Sequence, residues 1–465
     1  MLFPTVEFAV FFPIVLALSW ALMSRPALWK PFIVFASYVF YGAADPMFCF
    51  LLAGVTIGNQ IAARLIAASD DANRRQWICR IAVALDLLVL GVFKYYAFFV
   101  EDVGDLLDSI GLGMPLPLLT ILLPIGISFY TFQAITYTVD VKRGDAEPAS
   151  LLDAAVYLSF FPQIVAGPIV RASEFLPQLK APRDPSRVAV GAGVSLIALG
   201  LIKKVALADT LARELVDPVF AVPQAYGTPD LLLAGYGWLA QVYCDFSGYT
   251  DIAIGLALLM GFVFPQNFNM PLRCQSFREF WRRWHITLSR FVRDYVYIPL
   301  GGSRRGTFRT YFNLMFTMTL LGLWHGAAWT LVLWGTWNGI WMSIEHWSNG
   351  RLGALVPGWV RWLVAFHLIV FGLVLFRSQN LELFAVYIEQ FFSGGSATLW
   401  TFPVVAATAI VIGFQLLPER PLRRAQIWIE ARHPAILAGG LAGVILFVGA
   451  TVPSQGVPPF IYFQF

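Results

Sequence analysis

The stretch from Thr310 to Ile344 contains no aspartate, glutamate, lysine or arginine, and this feature limits the possible folds of the chain most strongly. Apolar residues dominate it, and several other runs exceed the roughly 20 apolar residues that a helix needs to cross a bilayer. Across the chain, 58% of the residues are hydrophobic and 13% are charged. This composition predicts an integral membrane protein.

The spanning segments are predicted to be helices, because a backbone in lipid must satisfy its hydrogen bonds within the segment. The apolar runs are also far longer than the alternating segments of about 10 residues that are typical of outer-membrane barrels. Counting the runs predicts an all-α, polytopic protein with about nine to eleven transmembrane helices, re-entrant segments and cytoplasmic amphipathic helices. No internal repeat is visible, so residues 1–465 are interpreted as a single membrane domain.

The basic residues predict the orientation of the helices, because lysine and arginine collect in cytoplasmic loops. Up to Asp145 basic and non-basic connections alternate, which places the N-terminus outside, and the run from Val6 to Met23 is expected to be a retained first span. The alternation breaks at the apolar run from Leu151 to Ala166, which has basic residues on both sides. Because about 16 residues are few for a span, this run is predicted to enter the membrane and return.

A second break in the alternation surrounds the uncharged stretch. Nine arginines against two acidic residues between Arg273 and Arg309 place the preceding segment in the cytoplasm, and basic residues follow the stretch as well. One straight helix over this stretch would be about 50 Å long, too long for one simple crossing. Two half-spans, or a bent pair that meets near Gly322 and Gly326, are predicted instead, and would hold His325 near the bilayer interior.

Two histidines are candidates for chemistry. An ionisable group such as His325 is costly within a membrane and usually functional, although it could simply hydrogen-bond a neighbouring helix. His285 lies in a segment, Ser276 to Phe291, whose aromatic side chains form one stripe and whose arginines fill other faces, as in a helix at a membrane surface. Such a helix could serve only to anchor the chain to anionic lipid. His285 falls on the apolar side, so it is predicted to face the protein interior.

These motifs resemble those of the membrane-bound O-acyltransferase family, and more narrowly its bacterial branch that acts in alginate O-acetylation. The similarity covers roughly half of the chain, from about Leu123 to Glu345. It is carried by Ser276–Ser289, Arg293–Gly302 and Leu323–Ala327, and further by Leu123–Tyr130, Gly167-Pro168 and Asp245–Gly255.

The resemblance implies an O-acetyltransferase that moves an acetyl group from cytoplasmic acetyl-CoA across the bacterial inner membrane. The acceptor would be an exopolysaccharide such as alginate, or a cell-wall glycan, reached through an extracytoplasmic acetyltransferase partner. His325 would be the catalytic histidine, as a base or as a transient acyl carrier, and His285 a second catalytic-site residue. The protein would contact membrane lipids, with no bound cofactor, no metal and no nucleic acid.

Four further residues are candidates for binding substrate: Trp281, Arg282, Asn267 and Trp324. Arginines such as Arg282 could bind the phosphates of CoA or anionic lipid headgroups. Asn267 could line the donor entrance or be a turn residue. Two alternative functions stay open, namely D-alanyl transfer to teichoic acid and transport of a lipid-linked sugar without catalysis.

Overall fold

The computed structural model describes residues 1, 3–111, 122–180, 182–348 and 355–451. Within these ranges all regular secondary structure is helical, which confirms the predicted all-α class. The helices are α1 Val6–Leu22, α2 Pro26–Gly42, α3 Met47–Ala67, α4 Ala72–Ser109, α5 Ile127–Arg143, α6 Leu151–Ser159, α7 Phe161–Ile164, α8 Ala172–Phe175, α9 Val190–Ala221, α10 Thr228–Leu259, α11 Phe277–Arg283, α12 Ile286–Val292, α13 Thr307–His325, α14 Trp329–Ser348, α15 Gly358–Arg377, α16 Leu381–Phe391, α17 Phe402–Leu416, α18 Glu419–Glu430 and α19 Pro434–Thr451.

Five of the described helices are long and apolar enough to cross a membrane. They are α3, the Ala72–Tyr96 part of α4, α9, α10 and α15, and a sixth span results if α17 and α18 form one broken crossing. Two further helical segments, α1 and residues 435–450 of α19, are apolar but shorter than these spans. The apolar helices agree with a polytopic membrane protein, and the count of nine to eleven spans stays a prediction.

The contacts divide the chain into two compact units. The first unit comprises Met1–Val194 and Ala253–Pro265, and the second comprises Ser195–Ile252 and Gln266–Phe465. Both candidate histidines belong to the second unit. The interpretation of residues 1–465 as a single domain stays a prediction.

In the first unit, the predicted re-entrant run is broken. α6 ends at Ser159, Phe160 leaves the helical conformation with ψ 107°, and the four residues of α7 follow. The nine residues of α6 are about 14 Å long, less than half of the hydrocarbon thickness. This short, broken geometry is in keeping with a segment that does not cross the membrane.

In the second unit, the uncharged stretch forms two helices, α13 and α14, separated by residues 326–328. The predicted bent pair is therefore confirmed. The two helices touch along their backbones: a Cβ added to Gly322 would lie 2.2 Å from the carbonyl oxygen of Leu331, and one added to Gly335 would lie 2.3 Å from that of Met318. Only glycine fits at these two positions, so the pair of glycines fixes how closely α13 and α14 approach.

The prediction of one surface helix from Ser276 to Phe291 is wrong. The segment forms two helices, α11 and α12, interrupted at Trp284 and His285. The aromatic stripe that the periodicity located is buried, at Phe277, Phe280, Trp281, Trp284 and Phe291. The periodicity therefore found the apolar face, but this face packs inside the protein. The break arises because His285 adopts a left-handed backbone, φ 42° and ψ 56°, which ends one helix and starts the next.

Candidate active site

His325 is the last residue of α13, and it is 4% exposed. The helix ends here because Gly326 adopts an extended backbone, with φ −173° and ψ 163°. Three aromatic rings stand at steep angles to the imidazole, with ring centroids 4.9 Å away at Trp324, 5.1 Å at Trp334 and 5.2 Å at Phe376. Because these rings come from α13, α14 and α15, the packing of three helices holds the imidazole in place.

A small cavity of about 20 Å³ borders the imidazole of His325. This is room for about one water molecule. The other lining residues are Val242, Phe277, Phe280, Trp284, Trp334, Trp337, Asn338, Ile369, Gly372, Leu373 and Phe376. Because most of them are aromatic or aliphatic, the lining keeps bulk water away from the imidazole.

His285 is fully buried at the break between α11 and α12. Its imidazole meets the ring of Phe246 edge-on at 4.5 Å and lies nearly parallel to that of Phe268 at 6.4 Å, between centroids. Neither ring nitrogen has a hydrogen-bond partner among the described residues. Burial lowers the pKa of His285 to about 3, so the imidazole is neutral near pH 7. The prediction that His285 faces the interior is confirmed.

Asn267 holds the backbone that carries His285. Its side-chain oxygen accepts hydrogen bonds from the backbone N–H of Thr287 at 3.2 Å and from the Thr287 hydroxyl at 2.9 Å. Its backbone carbonyl accepts from the N–H of Ile286 at 2.9 Å. These bonds satisfy donors at the start of α12 and fix the left-handed turn. Asn267 therefore stabilises the start of α12 directly after His285, and its contact with substrate stays a prediction.

Loss of the hydrogen bonds that Asn267 accepts is expected to lower the stability of the protein. Asn267→Ala leaves the buried N–H of Thr287 without its acceptor, which costs about 1–3 kcal/mol. We expect a lower melting temperature in detergent for Asn267→Ala, and a smaller decrease for Thr287→Val, which loses the hydroxyl bond but keeps the backbone bond. Equal melting temperatures of Asn267→Ala and the parent protein would contradict this account.

Two tryptophans connect the histidine sites. The ring centroid of Trp324 lies 4.9 Å from that of His325 and 6.4 Å from that of His285, so the indole lies next to both imidazoles. Trp281 is buried and donates from Nε1 to Oδ1 of Asn338 at 3.2 Å, which ties α11 to α14 beside the cavity. Both residues thus support the site. Their predicted contact with substrate remains untested.

Arg282 is exposed and lines a groove of about 700 Å³. The groove has a basic side, with Arg278, Arg290 and Arg293, and an apolar side formed by α13 and α14. The other residues that line it are Trp281, Ile286, Ser289, Val292, Tyr297, Ser303, Leu314, Thr317, Met318, Leu321, Met342 and His346. Along α13, the lining residues precede His325 by one to three turns.

A second groove, of about 290 Å³, is lined by residues that follow His325 in the sequence. Its walls are the turn after α13, the first residues of α14 and the end of α15. They comprise Gly326, Ala327, Ala328, Thr330, Leu331, Phe376, Arg377, Ser378 and Gln379. Phe376 also borders the cavity next to His325, so the imidazole lies close to this groove.

Several residues of the site were not found by sequence reasoning. Phe246, Trp334 and Phe376 contact the two imidazoles from other helices, and nothing in their local sequence distinguishes them from ordinary core residues. Glu345 accepts hydrogen bonds from the backbone N–H groups of Phe277 and Arg278 and so caps α11. The sequence does distinguish Glu345, because it is the first charged residue after the uncharged stretch.

Comparison with known proteins places the chain in a family. The model of the membrane-bound O-acyltransferase family, MBOAT, matches residues 118–376. The chain is 38% identical over 483 residues to the probable alginate O-acetylase AlgI of Pseudomonas putida, with 98% of each chain covered. It is 42% identical over 389 residues to the protein of the same description from Pseudomonas aeruginosa, covering 83% of this chain and 74% of the relative.

A more distant relative is described as an enzyme that acts on a different polymer. The chain is 32% identical over 388 residues to the peptidoglycan O-acetyltransferase of Helicobacter pylori, covering 77% of this chain and 72% of the relative. All three relatives are described as enzymes, which argues against transport without catalysis. The chain belongs to the membrane-bound O-acyltransferase family and is an acyltransferase, a multi-pass protein of the bacterial inner membrane.

Proposed function

We propose that the protein transfers an acetyl group from cytoplasmic acetyl-CoA towards a polysaccharide hydroxyl on the outer side, with His325 at the point of transfer. The observation that carries this proposal is the position of His325 along α13. Residues before it line the basic groove, and residues after it line the second groove. We infer that the donor binds along α13 before His325 and the acceptor binds beyond the end of α13, so the imidazole lies between the two along the chain.

The basic groove has the chemistry of a CoA site. Guanidinium groups at Arg278 and Arg282 suit the phosphates of CoA, and the apolar wall suits its less polar arm. A volume of about 700 Å³ falls within the usual range for a small-molecule site. The arginine-rich segment is cytoplasmic by its charge, so a donor in this groove would come from the cytoplasm.

The second groove suits an acceptor from the other side. α13 has Arg309 in its first turn and ends at His325, next to Gly326 in the wall of this groove. With the basic end of α13 in the cytoplasm, the end next to the groove faces outward. Thr330 and Gln379 provide polar groups there that can hydrogen-bond a hydroxyl compound.

One imidazole can carry out both proton transfers of the reaction. The neutral ring takes the proton of the acceptor hydroxyl while the oxygen attacks the thioester carbonyl, and the resulting imidazolium returns the proton to the CoA sulfur as the C–S bond breaks. In a variant of this route the imidazole nitrogen attacks the thioester carbonyl, the C–S bond breaks, and CoA leaves with the imidazole N–H proton. The acceptor hydroxyl then takes the acetyl group from the acetyl-imidazole and gives its proton to the ring. The apolar surroundings favour either route over hydrolysis, because they limit water near the thioester.

The acceptor class is proposed from the relatives. Two are described as alginate O-acetylases and one as a peptidoglycan O-acetyltransferase, so a glycan hydroxyl fits their shared description. An extracytoplasmic acetyltransferase would then finish the transfer to the polymer. D-alanyl transfer to teichoic acid is less well supported, because the teichoic acid D-alanyltransferase of Bacillus subtilis is 27% identical over only 55% of this chain.

The test uses the purified protein in proteoliposomes with radiolabelled acetyl-CoA outside and alginate oligosaccharides inside. We expect CoA release, and label on the sugar in the lumen when the extracytoplasmic partner is enclosed. Label trapped on the protein without an acceptor would identify the acetyl-imidazole route. Absence of CoA release with a folded, inserted protein would refute the proposal.

Arg282 provides a test of the donor site. Arg282→Ala removes one charge from the groove, and we expect KM for acetyl-CoA to rise about threefold to tenfold with kcat nearly unchanged, because a phosphate contact contributes to binding throughout the reaction. Arg187→Ala is the matched control, since Arg187 is 87% exposed and lies outside the groove. An unchanged KM for Arg282→Ala would remove this arginine from the donor site.

A further inference from the structure

In the first unit, a groove of about 510 Å³ runs between α3 and α4. On α3 it is lined by a series of small residues one turn apart, Gly54, Gly58 and Ala62. A Cβ added to Gly54 or Gly58 would have no neighbouring atom within 4 Å among the described residues. Such small residues normally allow two transmembrane helices to approach closely, and here the described chain brings no helix against them.

The groove also contains a carboxyl group. Asp86 of α4 lines it and is 4% exposed. Oδ1 of Asp86 accepts a hydrogen bond from Nδ2 of Asn59 at 2.9 Å, and Asn59 in turn accepts one from the hydroxyl of Thr138 on α5 at 2.7 Å. Oδ2 of Asp86 has no hydrogen-bond partner among the described residues. A carboxyl group inside a membrane usually has a hydrogen-bonding or charged partner, so we expect Oδ2 to bind a hydrogen-bond donor.

The position of Asp86 limits what that donor can be. The residue lies near the middle of the apolar segment Ala72–Tyr96, so a span formed by this segment would place it far from either headgroup layer. Lipid tails carry no hydrogen-bond donor, so a lipid in the groove would leave Oδ2 unsatisfied. A second copy of this chain in a two-fold arrangement would place the same surfaces against each other, so that one Asp86 carboxyl would face the other. Two ionised carboxylates supply no hydrogen-bond donor to each other.

We propose that the α3–α4 groove binds a transmembrane helix of a partner protein, one that carries a hydrogen-bond-donating side chain, such as lysine, at mid-membrane depth. The small residues accommodate the backbone of that helix, and Asp86 pairs with its donor. The groove extends from Phe50 to Leu65, about 22 Å along α3, which is long enough for four helical turns of contact. Exposed apolar side chains at Ile61 and Leu85 border it and can pack on the incoming helix.

The probe is a synthetic hydrophobic peptide that spans a bilayer and carries one central lysine, with a matched peptide that has leucine there. Energy transfer is measured in vesicles of phosphatidylethanolamine and phosphatidylglycerol, from a dye on the peptide to a dye at Asp70→Cys, in the exposed turn between α3 and α4. The lysine peptide is expected to bind saturably, about threefold to tenfold more tightly than the leucine peptide.

Two glycine variants make the test specific. Gly58→Leu fills the groove, and its Cβ would have no atom within 4 Å, so the protein should fold and bind the lysine peptide at least about tenfold more weakly. Gly91→Leu is the matched control, because Gly91 lies on α4 outside the groove lining, also has open space around it, and should leave binding unchanged. Asp86→Leu should make the two peptides bind equally.

Three results would overturn the proposal. Equal binding of the two peptides to the parent protein would show that Asp86 recognises no donor. Binding of the lysine peptide that is insensitive to Gly58→Leu would place it elsewhere on the protein. A change of oligomeric mass on Gly58→Leu, measured by light scattering in detergent, would show that a second copy occupies the groove.

Discussion

His325→Ala is expected to reduce acetyl transfer by about 10²–10⁴-fold, the range that a positioned base contributes. The acceptor hydroxyl is a weak nucleophile near neutral pH, and alanine cannot take its proton or carry the acetyl group. The measurement is CoA release from labelled acetyl-CoA by the variant in proteoliposomes, with insertion confirmed by gel filtration and melting temperature.

A structural role alone predicts a different pattern. The imidazole of His325 fills space between Trp334 and Phe376, so alanine leaves a gap that lowers stability. His325→Gln keeps most of the volume and should fold as well as the parent, yet it offers no base and should remain inactive. His433→Ala, at an exposed histidine between α18 and α19, is the matched control and should keep full activity. An active, folded His325→Gln variant would remove His325 from the chemistry.

The parts of the site that the sequence predicted depend on membrane energetics. A charge-free stretch too long for one crossing predicted the bent pair of α13 and α14. The imidazole of His325 is buried within the protein, and its place near the bilayer interior stays a prediction. The apolar stripe predicted that His285 faces inward. These inferences succeed because burial of charge is costly in lipid whatever the rest of the chain does.

The parts that were missed depend on contacts between residues far apart in the sequence. The left-handed backbone at His285 is stabilised by Asn267, which lies outside the periodic segment, so helical periodicity alone predicted one continuous helix. Phe246 contacts His285 from α10, and Trp334 contacts His325 from α14. Such pairings follow from tertiary packing, which no local pattern encodes.

Gly322→Ala is expected to destabilise the protein strongly, against the usual effect of this substitution. In an open helix position, glycine to alanine stabilises by about 1 kcal/mol, because alanine has the higher helix propensity. At Gly322 the new methyl group would lie 2.2 Å from the carbonyl oxygen of Leu331, so α13 and α14 must separate. Overpacking of this kind costs about 1–3 kcal/mol or more. We expect a lower melting temperature of the purified protein.

Activity should fall with stability, because Gly322 is one turn before His325 and the cavity walls come from both helices. A shift of about 1 Å at a reacting group can reduce the rate about 10²-fold. Gly413→Ala, in α17 with no atom within 4 Å of the added Cβ, is the matched control and should be neutral or slightly stabilising. If both variants melted and turned over like the parent, the close contact of α13 and α14 would not be what holds His325 in place.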